Sequence, residues 1–260
     1  TDFVNKVPFF GAAIICLDDP NVQLIIPHIK RRRVTYGLTA QADISAHDIR
    51  YDSEFGSRFN VWRGDNVLGE LHLPVPGKHN VYNALAATAV ALEMDIPFEK
   101  VVEAFAAFKN ANRRFQFKGE ANGITVVDDY GHHPTEIVAT LGAAKNAATG
   151  RRTVVIFQPH RYSRTSELMD DFVVAFNNAD VLFVLDIYAA SEPPIEGITA
   201  EVLTENIKRL GHKNVTYIGD IDKAADRVVP ELLPGDLVIT LGAGTVTRLS
   251  DEIVAKLDGK

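Results

Sequence analysis

The chain has 260 residues, 46% of them apolar and 23% charged, which is ordinary globular usage and enough for one large domain or two of about 100 to 150 residues each. Lys plus Arg number 27 against 34 Asp plus Glu, and the formal charge of -7 gives no global electrostatic reason to expect nucleic acid or an anionic membrane as a partner. No apolar run approaches the roughly 18 residues of a membrane span, and no charged-then-apolar signal opens the chain, so a soluble, cytoplasmic protein is expected. The lone cysteine, Cys16, lies in the apolar stretch Ala12 to Leu17 and is expected to be a buried core thiol, since it has no partner for a disulfide or a thiolate metal site. A start in Asp2-Phe3-Val4 without Met reads as a cut chain.

The first third alternates β-like runs with turns: Phe10 to Leu17, Val34 to Gly37, Asp43 to Tyr51, Arg58 to Arg63 and Val67 to Leu73. The basic run Lys30 to Arg33 reads as a solvated turn entering a strand rather than a phosphate-binding patch. Gly64-Asp65-Asn66 is a hairpin-type connection, and Phe59, Val61 and Trp62 supply strand-favouring side chains before it. Pro74-Val75-Pro76-Gly77 is a stiff connector into a helix over His79 to Met94, with the apolar stripe Val81, Leu85, Ala89 and Leu92. A second helix runs from Phe98 to Phe108.

From Arg114 onward strands and helices alternate regularly, with strands at Ile124 to Val127, Thr153 to Phe157, Val181 to Leu185, Val215 to Ile218 and Leu237 to Leu241. Continuous Val, Ile and Leu runs without alternating polarity indicate strands buried on both faces, hence a doubly wound, Rossmann-like, mainly parallel α/β domain. The boundary is expected near Lys109 to Arg113, dividing the chain into 1–112 and 113–260.

In such a sheet ligands bind beyond the carboxyl ends of the strands. Asp128-Asp129-Tyr130-Gly131-His132-His133-Pro134-Thr135-Glu136 follows the first strand, Gln158-Pro159-His160-Arg161-Tyr162-Ser163-Arg164-Thr165 the second, and Gly242-Ala243-Gly244 the last. Pro134 suits a first helical turn, so a helix N-terminus joins the arginines and histidines at this edge, a combination fitted to phosphate or carboxylate groups. Arg161 and Arg164 are read as anion contacts, with a solvated helix start as the alternative. A zinc or manganese site built from the paired histidines and aspartates is disfavoured, because adjacent imidazoles seldom turn to one ion and no Cys assists. The glycine run lacks the third glycine of a dinucleotide fingerprint, Thr247 standing in its place, and reads as a close approach of backbone to a ligand or a neighbouring loop. Asn80 and Asn83 share one helical face. Each amide can donate and accept, as an adenine edge requires, although spacing alone favours helix capping by Asn80 and a solvated Asn83.

Several of these motifs resemble those of the Mur ligases. Gly77-Lys78-His79-Asn80-Val81-Tyr82-Asn83-Ala84-Leu85-Ala86-Ala87 is similar to that family's adenine-binding helix, and Arg113-Arg114-Phe115-Gln116 to the arginine leading into its last domain. The Asp128 to Glu136 and Phe157 to Thr165 stretches are similar to the L-alanine-adding branch rather than to its murein-peptide relatives, as are Val7-Pro8-Phe9-Phe10-Gly11, Cys16-Leu17-Asp18-Asp19-Pro20 and Thr35-Tyr36-Gly37. The resemblance implies that residues 1–112 are the C-terminal part of a central ATPase domain and 113–260 the C-terminal domain. It also implies ATP and Mg2+ as cofactors, and joining of UDP-N-acetylmuramate to L-alanine through an acyl phosphate, with ADP formed. Asn80 and Asn83 would then hold adenine, Arg114 and Asp129 would contact ribose and phosphates, and Tyr130, His132, Arg161 and Arg164 would face the reacting groups. One departure stands out: no G-x-x-x-x-G-K-[ST] occurs in the chain, so the phosphate loop and the family's metal ligands are expected upstream of Thr1, and the chain alone is expected to be inactive.

Overall fold

The computed structural model describes residues 1–52 and 55–259. The chain divides into two compact units, Thr1–Lys109 and Asn110–Lys260. In the first, β1 (Ala13–Cys16), β2 (Arg33–Gly37), β3 (Ile44–Tyr51), β4 (Ser57–Arg63) and β5 (Asn66–Leu73) form a five-stranded sheet in sequence order. The first three strands are parallel, β4 runs antiparallel to β3, and β5 runs antiparallel to β4. Arg63 pairs with Asn66, so Gly64 and Asp65 make the hairpin turn, with Gly64 at φ 54°, where a side chain is disfavoured.

Two short helices join this unit that periodicity did not signal, α1 (Asp2–Asn5) and α2 (Pro20–Ile25). The local cue for α2 is Asp19-Pro20: Asp19 accepts from Asn21 N and Val22 N, and Pro20 occupies the first turn. Val4, Val22 and Ile25 pack on Ala13 and Ile15 of β1. The same strand corrects the reading of Cys16. Burial alternates along β1, Ala13 and Ile15 are buried, and the thiol is only half-buried rather than in the core. The Lys30 to Arg33 run is solvated as expected, with Arg32 paired to Glu93.

The main core of this unit lies under α3 (Lys78–Glu93) and α4 (Phe98–Ala106), where Val81, Leu85 and Ala89 meet Phe59, Val61 and Leu71 of the sheet. Each of the larger side chains contributes about 1.5–3 kcal/mol by leaving water.

The second unit contains β6 (Gln116–Ala121), β7 (Ile124–Asp129), α5 (Pro134–Ala147), β8 (Thr153–Phe157), α6 (Tyr162–Glu167), α7 (Met169–Ala175), β9 (Val181–Leu185), α8 (Ala200–Arg209), β10 (Val215–Gly219), α9 (Ala224–Val228), β11 (Leu237–Leu241) and α10 (Thr247–Leu257). Its six-stranded sheet has the order β10-β9-β8-β11-β7-β6, and all but the edge strand β6 run parallel. The doubly wound, Rossmann-like α/β class is the observed one. Strand β6 was not anticipated, because its Gln116-Phe117-Lys118-Gly119-Glu120-Ala121 lacks an apolar run; it needs only one ladder, on an edge, and bulges near Gly119.

The chain steps outward from β7 to β8, β9 and β10, then returns to insert β11 between β8 and β7. Helices α5, α7 and α8 pack together, while α9 and α10 form a second group. In an open α/β sheet such a reversal of strand order marks where ligands bind, here the carboxyl ends of β8, β11 and β7.

Candidate functional site

At the end of β11 the backbone turns sharply. Gly242 has φ 145°, and a Cβ there would stand 2.7 Å from Gln158 O. A Cβ at Gly244 would collide with Gln158 Oε1 and lie 2.9 Å from the Tyr188 ring. The glycines thus serve close approach to neighbouring loops. Gln158, buried, accepts from Val246 N at 3.0 Å and so fixes the chain as it enters α10.

Strand β7 runs two residues further than its apolar stretch suggests, because Thr240 and Leu241 pair with Asp128 and Asp129. Both aspartates are therefore interior strand residues, at 0% and 5% exposure, and not part of the following loop. Asp128 accepts from Thr240 Oγ1 at 2.6 Å, Thr247 Oγ1 at 2.7 Å and Arg113 Nε at 3.1 Å. Arg113 also donates to the Gly242 and Ala243 carbonyls, and its guanidinium lies 5.0 Å from the centre of the Tyr130 ring. One side chain ties the glycine turn, β7 and Tyr130 together.

Asp129 accepts from Gly131 N at 2.7 Å, Phe115 N at 2.8 Å and Thr140 Oγ1 at 3.2 Å. Burial raises its carboxyl above the usual range, outweighing these hydrogen bonds and the nearby Arg114 charge. The bond to Phe115 holds a strained segment, since Arg113 and Phe115 have φ 61° and 46° on either side of Arg114. Arg114 lies 3.6 Å from Glu136 Oε1 and 5.6 Å from the centre of the Tyr130 ring.

Helix α5 begins with a capping box. His133 Nδ1 accepts from Thr135 N, while Glu136 reaches back to the His132 and His133 amides at 3.0 and 3.2 Å. Burial works against the Glu136 carboxylate, yet these two amides, the His132 ring and Arg114 hold it below its usual range. His132 Nδ1 lies 3.0 Å from Tyr130 O and 3.3 Å from Glu136 Oε2, and its ring meets Tyr130 edge-on at 5.1 Å.

From the β8 side, His160 stacks on Tyr188 at 5.4 Å and comes within 6.0 Å of the His132 ring. Arg164 Nη1 donates to His160 Nδ1 at 3.1 Å and to His160 O at 3.2 Å. Burial, followed by Arg164, His132 and Arg161, pushes the His160 imidazole below its usual range, favouring the neutral ring. Arg161 has φ 73° and lies 3.8 Å from Glu192, whose carboxylate accepts from both Ser163 N and Ser163 Oγ.

Tyr130 and His132 on the loop after β7, Arg161 at the N-cap of α6 and Arg164 in its first turn thus sit at one sheet edge, with Arg114 and Asp129 beside Tyr130. Asn80 and Asn83 belong to the first unit. There Asn83 Nδ2 is 3.4 Å from Asn80 Oδ1, as their shared face predicts, but Asn80 caps nothing: Gly77 is the N-cap, and Asn80 Nδ2 instead donates to Pro76 O at 2.7 Å. Sequence reasoning gave no role to Arg113, Glu136, Tyr188 or Glu192. Only Glu136 had a legible signal, standing three residues after the cap at His133. Among the described residues no group of three or more His, Cys, Asp or Glu could hold a metal ion, and no helix is long and apolar enough to cross a membrane.

These features define a nucleotide-fold α/β protein with a cationic, imidazole-rich edge suited to anionic groups. Comparison with known proteins narrows the class. Residues 113–244 match the "Mur ligase, glutamate ligase domain" and residues 1–91 the "Mur ligase middle domain". The chain belongs to the Mur ligase family.

It is 54% identical over 256 residues to the UDP-N-acetylmuramate--L-alanine ligase of Geobacter sp. (strain M21), covering 98% of this chain and 55% of the relative. With the enzyme of the same name from Trichlorobacter lovleyi it shares 53% over 255 residues, 98% of this chain and 56% of the relative. The chain spans about half the length of the curated relatives it matches. Among solved structures, UDP-N-acetylmuramate-alanine ligase MurC from Thermotoga maritima superposes with a TM-score of 0.77 at 25% identity, over 95% of this chain and 51% of that one. MurF ligase from Thermotoga maritima, solved in complex with ADP, shares the fold with a TM-score of 0.72 at 18% identity, over 99% of this chain and 56% of that one.

Proposed function

We propose that this chain is the nucleotide- and amino-acid-facing half of a cytoplasmic, ATP-dependent ligase that joins L-alanine to UDP-N-acetylmuramate in peptidoglycan precursor synthesis. Residues 1–112 are read as the C-terminal part of the central domain and 113–260 as the C-terminal domain. The observation that carries the reading is the convergence of Tyr130, His132, Arg161 and Arg164 on one sheet edge, in a chain more than half identical to L-alanine-adding ligases.

ATP supplies the phosphoryl group that activates the lactyl carboxylate as an acyl phosphate. Asn80 and Asn83 present amide donors and acceptors suited to the adenine edge, and Arg114, beside Asp129, offers a guanidinium to ribose and phosphates. Phosphoryl transfer and the later tetrahedral intermediate both accumulate negative charge, which Arg161, Arg164 and the imidazole donors are placed to offset. Mg2+, as the family resemblance implies it, would be held by ligands outside these residues together with the phosphates of ATP; among the described residues no group of three or more His, Cys, Asp or Glu gathers to hold it.

The test is L-alanine-dependent ADP release with UDP-N-acetylmuramate, comparing the full-length gene product with the 260-residue chain. Activity in the former and none in the latter is expected, because residues 1–260 contain no phosphate-cradling G-x-x-x-x-G-K-[ST]. A full-length protein that ignores L-alanine but accepts a peptide would move the assignment to a murein-peptide type of ligase.

A further inference from the structure

The partners around the edge determine which nitrogen of each imidazole carries hydrogen. Tyr130 O can only accept, so the His132 Nδ1 lying 3.0 Å away must donate, and Glu136 Oε2 at 3.3 Å favours the same proton. The Nε2 of His132 keeps its lone pair. His160 is set the opposite way. Arg164 Nη1 can only donate, so His160 Nδ1, 3.1 Å away, accepts, and the hydrogen sits on Nε2. His133 follows the His160 pattern, because its Nδ1 accepts from Thr135 N at 3.3 Å. Of these three rings, His132 alone offers a basic Nε2, and it stands 6.0 Å from a ring that offers a neutral N–H.

Ligation of an amino acid raises a problem that arginines do not solve. The incoming amino group is protonated near neutral pH and cannot attack until it loses a proton. Resting on the ligase reading above, we propose that His132 Nε2 is the base that takes this proton, while His160 Nε2–H is a neutral donor to the oxygen where charge develops. The ammonium gives one proton to His132. The amine lone pair then forms the C–N bond to the acyl carbon, whose carbonyl oxygen takes up the negative charge of the tetrahedral intermediate. The carbonyl re-forms as the bond from that carbon to the phosphate oxygen breaks, and the second amine proton leaves with the phosphate as hydrogen phosphate. His132 returns its proton to solvent.

The surroundings suit both roles. Glu136, on α5, is held ionised by the His132 and His133 amides and lies beside His132 Nδ1–H, where it stabilises the imidazolium that forms. Arg114 shares that carboxylate, and the Tyr130 phenol at 5.1 Å and the His160 imidazole at 6.0 Å are the titratable rings that face His132. Burial, together with the mainly cationic surroundings of Arg164, His132 and Arg161 against the single carboxylate of Glu192, keeps His160 neutral and donating.

Two measurements test the assignment. Long-range proton–nitrogen NMR of the 260-residue chain, with His132→Asn and His160→Asn to identify the rings, reads the tautomers directly. The expected result is Nδ1–H at His132 and Nε2–H at His160; the reverse at His132 overturns the proposal.

In the full-length enzyme, His132→Asn keeps a donor for Tyr130 O but has no basic nitrogen. Its kcat/KM for L-alanine should fall about 100-fold or more at neutral pH. It should then recover about tenfold per pH unit in alkaline solution, as the fraction of free amine rises. Hydroxylamine, unprotonated at neutral pH, traps acyl phosphates as hydroxamates, and its reaction should suffer far less than alanine ligation. Equal losses with both nucleophiles, or a wild-type pH profile in the variant, would refute the base. A wild-type enzyme that forms no hydroxamate from UDP-N-acetylmuramate and ATP would refute the acyl-phosphate reading itself and the base with it, whatever the tautomers.

Discussion

Replacing Arg113 by Met removes the one cation that, among the described residues, is in contact with Asp128, a carboxylate with no solvent exposure. Thr240 and Thr247 still donate to it, but hydroxyls do not supply a countercharge. Removing one member of such a buried pair costs about 3–5 kcal/mol, because the remaining charge stays in a medium of low dielectric constant. For a unit of this size each kcal/mol lowers the midpoint by about 2–4 °C, so the unit should melt about 6–20 °C earlier. Thermal unfolding should therefore be followed with hydrogen exchange of β7 and β11 amides, which reports this unit separately. The decisive comparison is Arg113→Met with Asp128→Asn in the same chain. An asparagine carries no charge, and its amide can accept from one threonine and donate to the other, whose hydroxyl turns to accept, so the double variant should recover at least half of the loss. Simple additivity would refute the reasoning and assign the cost to the lost contacts with the Gly242 and Ala243 carbonyls.

His212 should make stability pH-dependent. Burial pushes its imidazole below 6.5, only partly offset by the Ala179 and Phe176 carbonyls, and neither ring nitrogen finds a well-formed hydrogen bond among the described residues. Below pH 6.5 the unfolded chain therefore binds more protons than the folded one, and stability should fall as pH drops from there toward the folded value; His212→Gln should flatten the melting temperature between about pH 7.5 and 5.5. Gly242→Ala should destabilise more than Gly244→Ala, since it meets a backbone oxygen at 2.7 Å with φ 145°, whereas Gly244 meets side chains. Chemical denaturation would rank the two, and the opposite order would deny the close approach. In the full-length enzyme Asn83→Ala should narrow the preference for ATP over GTP by roughly 5- to 150-fold with little change in melting temperature. Asn80→Ala should also melt earlier, through its lost bond to Pro76 O. If both variants keep the wild-type preference, the adenine role is wrong.

The sequence by itself determined the elements whose stability is local or whose burial is complete. Thr153–Phe157, Val181–Leu185 and Leu237–Leu241 are strands with the bounds their apolar runs imply, because a strand covered on both faces is predominantly apolar rather than alternating. Residues after those strands marked the candidate edge for the same reason: topology sends ligands there, and polar residues have no other cause to gather. What tertiary structure decided was pairing. Strand β6 exists because β7 offers a ladder to an otherwise polar segment, and Asp128 and Asp129 became strand residues because β11 pairs with them. The His132 tautomer depends on a carboxylate four residues away and on a turn that brings Tyr130 O back to the ring. That of His160 depends on the guanidinium of Arg164 folding back across the start of α6. Arg113 is the clearest case. In the sequence it is one of two adjacent arginines near a boundary, and only the fold, by bringing residues 128 and 242–243 to it, makes it the tie between β7, the glycine turn and Tyr130. Side-chain partners distant in sequence follow from strand order, and strand order is set by the packing of the whole sheet rather than by any local pattern.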